Sequence, residues 1–152
     1  MSEGIKIVAR NKAAYHNYFI EDTIEAGLVL MGSEIKSVRA GRVQLREAYV
    51  REKDGELWLL NAHIADYTPA AQEGHEPLRP RKLLLHKREI AKLMQRVREK
   101  GKTIVPTQMY LKDGRAKVEI AVGTGKKLYD KRDTLAKKDT ERRIARELGR
   151  RR

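Results

Sequence analysis

The most regular feature of the chain is an alternation of bulky apolar and polar residues in several short segments. Between residues 17 and 30 the bulky positions are even-numbered, a pattern that predicts one long strand or two. Gly27 falls inside this segment and is predicted to mark a bulge or a tight bend, because glycine weakens a regular strand. The alternation indicates a sheet built from half-buried strands.

Two pairs of segments have the pattern of β-hairpins. Each pair flanks Asp-Gly, a dipeptide favoured in tight turns, at residues 54–55 and 113–114. The predicted strands are Ala48–Lys53, Glu56–Asn61, Thr103–Lys112 and Arg115–Val122. The last one alternates most clearly, and its apolar face consists of Ala116, Val118, Ile120 and Val122. Pro106 cannot donate a hydrogen bond to a neighbouring strand, so it is expected at an edge or a bulge.

Two helices are predicted between these strands. The longer runs from about Lys87 to Lys100, starts with a capping interaction between His86 and Glu89, and is expected to end on Gly101 as its cap. Its buried stripe consists of Ile90, Leu93, Met94 and Val97. A shorter helix is predicted from Ser33 to Arg39.

The predicted elements together favour a mainly β fold with short helices. Six or so short strands joined by tight turns and interrupted by helices fit an OB-type barrel best. Residues 68–81 contain three prolines and no periodicity, so they are expected to form an irregular surface loop. With 152 residues, the chain has room for one compact domain plus a tail. We expect the barrel in residues 1–123 and the tail in residues 124–152.

The tail is set apart by its charge. Residues 124–152 hold 12 basic and 5 acidic residues, so they carry more than half of the net charge of +13. They have too few large apolar residues to bury a core. Residues 131–148 nevertheless contain no proline or glycine, and acid-before-base pairs in the tail stand four positions apart. Because such pairs are too weak to hold a short helix in water, the tail is predicted to be disordered when free and helical when bound. Composition alone also fits a solubilising charged tail.

The positive charge of the whole chain points to an acidic partner, either a nucleic acid or an anionic membrane surface. No apolar run is long enough to span a bilayer, and residues 1–11 lack the apolar centre of a signal peptide. The sequence therefore favours a nucleic-acid partner and a cytosolic location. The absence of cysteine excludes disulfides, thiolate metal sites and cysteine nucleophiles.

Established catalytic and metal-binding patterns are missing from the sequence. The four histidines lack the spacing of a metal site, so no metal and no cofactor is expected. Residues 123–127 hold two glycines, Lys126 and Lys127, but lack the first glycine and the final hydroxyl residue of a P-loop. This segment fits either a contact with phosphates or a flexible hinge into the tail. An enzyme is the weaker alternative, in which His16 or His63 would act as acid or base in RNA cleavage.

Five stretches of the sequence share their order and spacing with one known family. They are Asn11-Lys12, Glu25-Ala26-Gly27-Leu28, residues 32–41 (GSEIKSVRAG), residues 81–86 (RKLLLH) and residues 125–132 (GKKLYDKR). From about Ala9 to its end, the chain resembles the family of small protein B, the transfer-messenger RNA binding protein. The resemblance implies a modified OB barrel that binds the transfer-RNA-like part of that RNA and brings it to a stalled ribosome. It also implies a tail that enters the small-subunit decoding region and the empty messenger channel, and no catalytic residues or cofactor.

Candidate contact residues follow from this resemblance. Those expected to contact transfer-messenger RNA are Asn11, Glu25, Lys36, Arg39, Arg81, Lys82 and Leu84, together with Lys126 and Lys127 of the glycine-lysine segment. Those expected at the decoding region and messenger channel are His16, Tyr129, Asp130, Lys131, Arg132, Lys137, Lys138, Arg142 and Arg143. Cations suit phosphates, whereas amides and carboxylates suit base edges, and aromatic rings suit stacking.

Considered without the family resemblance, several of these residues also have a simpler, structural interpretation. Glu25 fits a surface strand, Leu84 fits a core, and Lys36 with Arg39 fits a solvated helix face. A general basic nucleic-acid-binding or ribosomal protein is then the rival function. A monomer is expected, because no long apolar helix face is predicted beyond the one in residues 87–100, which belongs to the core.

Overall fold

The structure, a computed structural model, describes residues 4–66, 74–99 and 101–126. Within these residues the chain forms nine strands and three helices. The strands are β1 (Ile5–Arg10), β2 (Tyr18–Leu28), β3 (Val43–Gln44), β4 (Tyr49–Lys53), β5 (Glu56–Leu60), β6 (His63–Ile64), β7 (Arg81–Leu84), β8 (Lys102–Lys112) and β9 (Arg115–Gly125). The helices are α1 (Lys12–Asn17), α2 (Gly32–Arg39) and α3 (Lys87–Val97).

Seven of these strands form one antiparallel sheet in the order β1-β8-β4-β5-β7-β2-β9. Because β9 also pairs with β8, the sheet closes into a barrel. The long strand β8 makes closure possible: one edge pairs with β9, and the other pairs with β4 at Ile104 and with β1 from Gln108 onward. β3 and β6 form a separate small sheet. The predicted mainly β barrel with short helices is confirmed.

Both predicted hairpins are confirmed. The aspartate and the glycine of each turn have positive φ, 53° and 78° at residues 54–55 and 51° and 81° at residues 113–114. Two consecutive positive φ values are the mark of a type I′ turn, whose twist matches that of the strands. The apolar face predicted for β9 is also confirmed, since its four residues are buried in the core.

Residues 18–28 form one strand, and its bulge lies at Asp22. The register against β9 shifts at this residue, which has a φ of +40°. Gly27 is paired regularly, with Leu84 on β7 and Lys117 on β9. The prediction of a bulge at Gly27 is therefore wrong. The missing side chain permits a close approach instead, because a Cβ on Gly27 would lie 3.1 Å from the Cβ of Leu84.

The helix α1 and the strands β1, β3, β6 and β7 were not predicted. α1 has six residues, too few to show a helical period, and Asn11 caps it by accepting a hydrogen bond from the Ala14 N–H at 3.2 Å. His16 consequently lies in the last turn of α1, two residues before β2 begins. Arg81 begins β7, so the predicted loop ends before it, and residues 67–73 of that loop lie outside the described residues.

α2 and α3 begin within one residue of their predicted starts. The capping interaction of α3 is confirmed, because Glu89 Oε1 accepts a hydrogen bond from the His86 N–H at 2.8 Å. The four residues of the predicted stripe are buried or pack against the core. α3 ends at Val97, however, and Gly101 with its φ of +82° belongs to the turn into β8 rather than to the helix cap.

The ends of β8 and β9 complete the barrel. Pro106 lies at a bulge as predicted, because the register between β8 and β9 shifts at the next residue. β9 continues to Gly125, which pairs with Tyr18, so residues 123–125 are strand and the barrel extends past residue 123. Residues 127–152, nearly all of the predicted tail, lie outside the described residues. None of the three described helices is long and apolar enough to cross a bilayer.

Candidate nucleic-acid interface

A groove of about 860 Å³ opens beside β2 and β7 and extends to the turn between β8 and β9. Its cationic lining residues are Lys82, Lys112, Arg115 and Lys117, and its carboxylates are Glu25, Glu56, Glu89 and Asp113. Because the two charges are equally represented, the groove is not a uniformly basic surface. A polynucleotide bound there must place phosphates against the cations and hydrogen-bond donors against the carboxylates. The groove thus suits a shaped RNA better than an arbitrary polyanion.

Glu25 projects from the middle of β2 into this groove. Its side chain is about one-third exposed, and its Oε2 lies 3.4 Å from the Nζ of Lys112. Burial, followed by the charges of Glu25 and Glu119, raises the pKa of Tyr110 to about 12, so this phenol stays protonated near the two carboxylates. A carboxylate placed in this way can accept a hydrogen bond from a base amine or orient a cation toward phosphate.

Leu84 is the exposed apolar residue of the groove. Along β7 the side chains alternate, so Leu83 is fully buried whereas Leu84 is 53% exposed. Leu84 rests directly against the backbone of β2, because the residue opposite it is Gly27. The same three-leucine segment therefore supplies one core residue and one surface residue. An apolar side chain held open at this place can pack against a base or a ribose.

Lys82 precedes these leucines and also faces outward. Its Nζ lies 3.8 Å from a carboxylate oxygen of Glu56, and both side chains are more than one-third exposed. An exposed pair of this kind is worth little, at most about 1 kcal/mol. A phosphate can therefore replace the Glu56 carboxylate as the partner of Lys82 at small cost.

Arg81, predicted to contact RNA, is fully buried. Its Nε donates to Glu34 Oε2 at 2.6 Å, and its Nη1 donates to the backbone oxygen of Ala62 at 2.6 Å. Burial alone would raise the pKa of Glu34, but the hydrogen bonds from Arg79, the Met31 N–H and Arg81 outweigh it and hold that pKa below its usual value. An enclosed guanidinium cannot reach a phosphate, so the structure corrects this expectation: Arg81 holds α2 against β7.

Asn11 is likewise a structural residue in this fold. Only 4% of its surface is exposed, and its Nδ2 donates to the backbone oxygen of Pro106 at 2.9 Å while its Oδ1 caps α1. The β8 bulge at Pro106 thereby anchors the start of α1. These contacts leave Asn11 little surface for RNA, and the structure places it apart from the groove.

Lys36 and Arg39 are exposed on α2, one turn apart, as predicted for a face that presents both cations. They do not line the groove. Any contact that they make with RNA is therefore separate from the contacts of Glu25, Lys82 and Leu84.

The start of the tail is fixed at the other end of β2, beside α1. The backbone N–H of Lys126 donates to the backbone oxygen of Asn17 at 2.8 Å, and its Nζ donates to the backbone oxygen of Tyr15 at 3.2 Å. The same Nζ lies 5.0 Å from the centre of the exposed Phe19 ring. Lys126 therefore lies beside α1, the helix that carries His16, and does not line the groove.

β2 separates these two regions. Nine residue steps along a strand span about 30 Å, the distance from its start beside Lys126 to Gly27 in the groove. The structure thus brings Glu25, Lys82 and Leu84 together and sets His16 and Lys126 apart from them. The other predicted tail residues lie outside the described residues: Lys127, Tyr129, Asp130, Lys131, Arg132, Lys137, Lys138, Arg142 and Arg143.

Three cations of the groove were not predicted from the sequence: Lys112, Arg115 and Lys117. They flank the Asp113-Gly114 turn, so the hairpin pattern already placed them at one tip of the barrel. Only the pairing of Lys117 with Gly27 shows that this tip faces Glu25 and Leu84. Within the described ranges, no three histidine or acidic side chains converge as a metal site would require.

Comparison with known proteins shows the family of the chain. The family model described as SmpB protein matches residues 8–150. The chain belongs to the SmpB protein family. An SsrA-binding protein of Dehalococcoides mccartyi is 56% identical over 138 residues, which cover 91% of this chain and 80% of that protein. An SsrA-binding protein of Thermobifida fusca is 53% identical over 150 residues, covering 99% of this chain and 94% of the relative.

A solved SmpB structure shares the fold. Its chain, described under "tmRNA-SmpB: a journey to the center of the bacterial ribosome", is 42% identical, with a TM-score of 0.69 over 83% of this chain and 92% of that one. The predicted resemblance to the small protein B family is confirmed over nearly the whole sequence.

Proposed function

We propose that this protein is the RNA-binding adaptor of trans-translation, which binds the transfer-RNA-like part of transfer-messenger RNA and delivers it to stalled ribosomes. The observation that carries the proposal is the groove, in which Glu25 of β2 meets Lys82 and Leu84 of β7, a strand that follows β2 more than 50 positions later in the sequence. Relatives more than 50% identical are called SsrA-binding proteins, and the similar solved chain comes from a study of tmRNA and the ribosome.

The chemistry of the groove fits a folded RNA. Lys82, Lys112 and Lys117 offer cations to phosphates, Glu25 offers an acceptor to a base amine, and Leu84 offers an apolar contact. Structured RNA presents phosphates, 2′-hydroxyls and unstacked bases together, so a binder that reads shape needs all three kinds of group. A general nucleic-acid binder would need only the cations.

The placement of the tail supports a division of labour. Residues 124–152 carry a net charge of +7, and their start is held beside α1, about 30 Å along β2 from the groove. We propose that the barrel, with Lys126 and Lys127, binds transfer-messenger RNA, while the residues from Tyr129 onward enter the decoding region and messenger channel. His16, beside the start of the tail, belongs to the ribosomal side of the molecule. The remaining ribosomal contacts are assigned to Tyr129, Asp130, Lys131, Arg132, Lys137, Lys138, Arg142 and Arg143.

The same proposal makes the protein a binding module without catalytic activity, acting as a monomer in the cytosol where ribosomes work. The lysines and carboxylates of its groove bind RNA and do not cleave it. Incubation of the purified protein with labelled transfer-messenger RNA should leave the RNA intact, and shortened RNA would contradict an adaptor role.

Competition binding tests the proposal against the rival of a general basic RNA binder. Labelled transfer-RNA-like RNA is bound to the full chain, and excess transfer RNA or single-stranded DNA is added at constant salt. A specific adaptor keeps its RNA, whereas a general binder loses it in proportion to the competitor. Salt dependence alone does not discriminate, because every phosphate contact releases counterions.

A further inference from the structure

A second surface lies on the outside of the barrel, next to the groove, and is centred on Trp58 in β5. The neighbours of Trp58 along the strand, Leu57 and Leu59, are fully buried, so its own side chain points away from the core. Across the sheet Trp58 pairs with Arg51 on β4 and with Lys82 on β7. The indole therefore stands in a row between two cationic side chains on one face.

A shallow cavity of about 640 Å³ adjoins this row. Its lining includes three apolar residues, Trp58, Leu60 and Pro80, and two cations, Arg51 and Lys53. Glu52 also lines it, but its carboxylate already accepts a hydrogen bond from the Gly55 N–H at 3.1 Å. Cavities of this size accommodate a nucleoside or a drug-sized ligand.

We propose that this surface, which we call the Trp58 platform, binds one unpaired nucleotide of the RNA. The base stacks on the indole, and the adjoining phosphates contact Arg51 and Lys53. Aromatic side chains flanked by cations are the usual means by which proteins hold an unstacked base, because every base has a π-face and every nucleotide carries a phosphate. The inference rests on the proposed function and adds a recognition site to it.

Two details of the contacts favour RNA as the occupant. Lys82 belongs to both surfaces, since it lines the groove and pairs with Trp58, so an RNA in the groove can continue directly onto the platform. The indole N–H of Trp58 is enclosed and has no acceptor among the described residues. A hydrogen-bond acceptor on a nucleotide can satisfy this N–H, and leaving a buried donor unpaired costs free energy.

Charge argues against other occupants of the platform. A second copy of the chain carries the same net charge of +13, and the chain's own tail is basic. Both would be repelled by Arg51 and Lys53, whereas a polynucleotide is attracted.

The chain contains a single tryptophan, so its fluorescence reports on the platform alone. The full chain is titrated with the transfer-RNA-like half of transfer-messenger RNA, and the indole emission is followed while binding is measured separately by mobility shift. We expect emission to change in step with binding. Unchanged emission at saturating RNA would overturn the proposal, as would a change that appears only when ribosomes are added.

Three variants measure the contribution of the platform to affinity. Trp58→Leu keeps an apolar side chain but removes the stacking ring, so affinity should fall about 5- to 150-fold, the range for losing one stacked base. Trp58→Phe should retain most of the affinity, because it keeps a ring. Arg51→Gln should lower the salt slope by about one phosphate contact, whereas Arg98→Gln, at an exposed residue beyond α3, should not.

The outcomes separate this inference from the proposed function. If the wild-type chain binds this RNA no better than transfer RNA, the adaptor function fails whatever Trp58 does. If it binds specifically but Trp58→Leu and Arg51→Gln bind as well as the wild type, the adaptor function stands and the platform is refuted.

Discussion

The carboxylate of Glu34 in α2 and the guanidinium of Arg81 at the start of β7 form an ion pair with no exposed side-chain surface. Glu34 Oε2 lies 2.6 Å from both Nε and Nη2 of Arg81. Arg79 contacts the other carboxylate oxygen at 2.5 Å, and Ala62 supplies a backbone acceptor for Arg81. The pair fixes the beginning of the strand whose next residues, Lys82 onward, line the groove. A buried charge pair outside the interface thereby positions residues inside it.

Breaking this pair should strongly destabilise the barrel. Removing one partner leaves the other as an uncompensated buried charge, so Glu34→Gln should lower the free energy of unfolding by about 3–5 kcal/mol. Urea denaturation measures the change. Glu47→Gln, at an exposed glutamate paired weakly with Arg46, is the matched control and should change stability by less than about 0.5 kcal/mol. The double variant Glu34→Gln/Arg81→Met should lose clearly less than the sum of its single variants, and strict additivity would show that the two residues are not coupled.

The same pair predicts a loss of stability in acid. The pKa of Glu34 is lowered in the folded protein from an ordinary value of 4.5, so the folded state binds the proton less readily than the unfolded chain. The stabilisation is complete above about pH 4.5 and is lost as the pH falls through the folded pKa. The difference in unfolding free energy between the wild type and Glu34→Gln should therefore narrow below pH 4.5. A difference that stays constant down to acid unfolding would contradict this assignment.

Gly27→Ala tests the close approach between β2 and β7. The new Cβ would lie 3.1 Å from the Cβ of Leu84 and must displace it, so RNA affinity should fall about 5-fold, equivalent to about 1 kcal/mol. Stability should change by no more than about 1 kcal/mol, because alanine suits a strand better than glycine. Gly32→Ala is the matched control, since a Cβ there meets no atom within 4 Å and lies outside the groove. If both variants bind RNA equally well, Leu84 does not contribute to RNA binding.

The groove lysines should contribute through phosphates. Lys117→Gln should weaken binding to all RNA sequences alike and reduce the slope of log affinity against log salt by about one contact. Lys92→Gln, on the exposed side of α3, removes the same charge outside the groove and serves as control. Titration at several salt concentrations gives both slopes. An unchanged slope for Lys117→Gln would show that Lys117 does not contact an RNA phosphate.

Truncation before Asp130 separates the two proposed activities. The shortened chain keeps the groove and the contacts of Lys126 with α1, so it should bind transfer-messenger RNA nearly as well as the full chain. It lacks the residues assigned to the decoding region, so tagging on stalled ribosomes should be abolished. A mobility-shift assay and a reconstituted translation reaction measure the two activities. Tagging by the truncated chain would overturn the assignment of the tail.

The sequence by itself determined the elements whose signals are local. The two Asp-Gly turns, the alternation of β9 and the stripe of α3 each depend on residues within a few positions of one another, and the structure confirms them. Motif spacing was sufficient for the family as well. Short elements could not be predicted from the sequence. α1 has only six residues and shows no helical period, and β7 is recognisable only from its pairing with β2 and β5.

The tertiary structure alone decided which residues share a surface. Nothing within residues 81–84 shows that Arg81 turns inward to Glu34 while Leu84 turns outward over Gly27, because both directions are set by partners about 50 positions away. In the same way, closure of the barrel brings Lys117 to Glu25 and separates Lys126 from both. Charge and burial depend on such long-range register, and local sequence patterns carry no information about it.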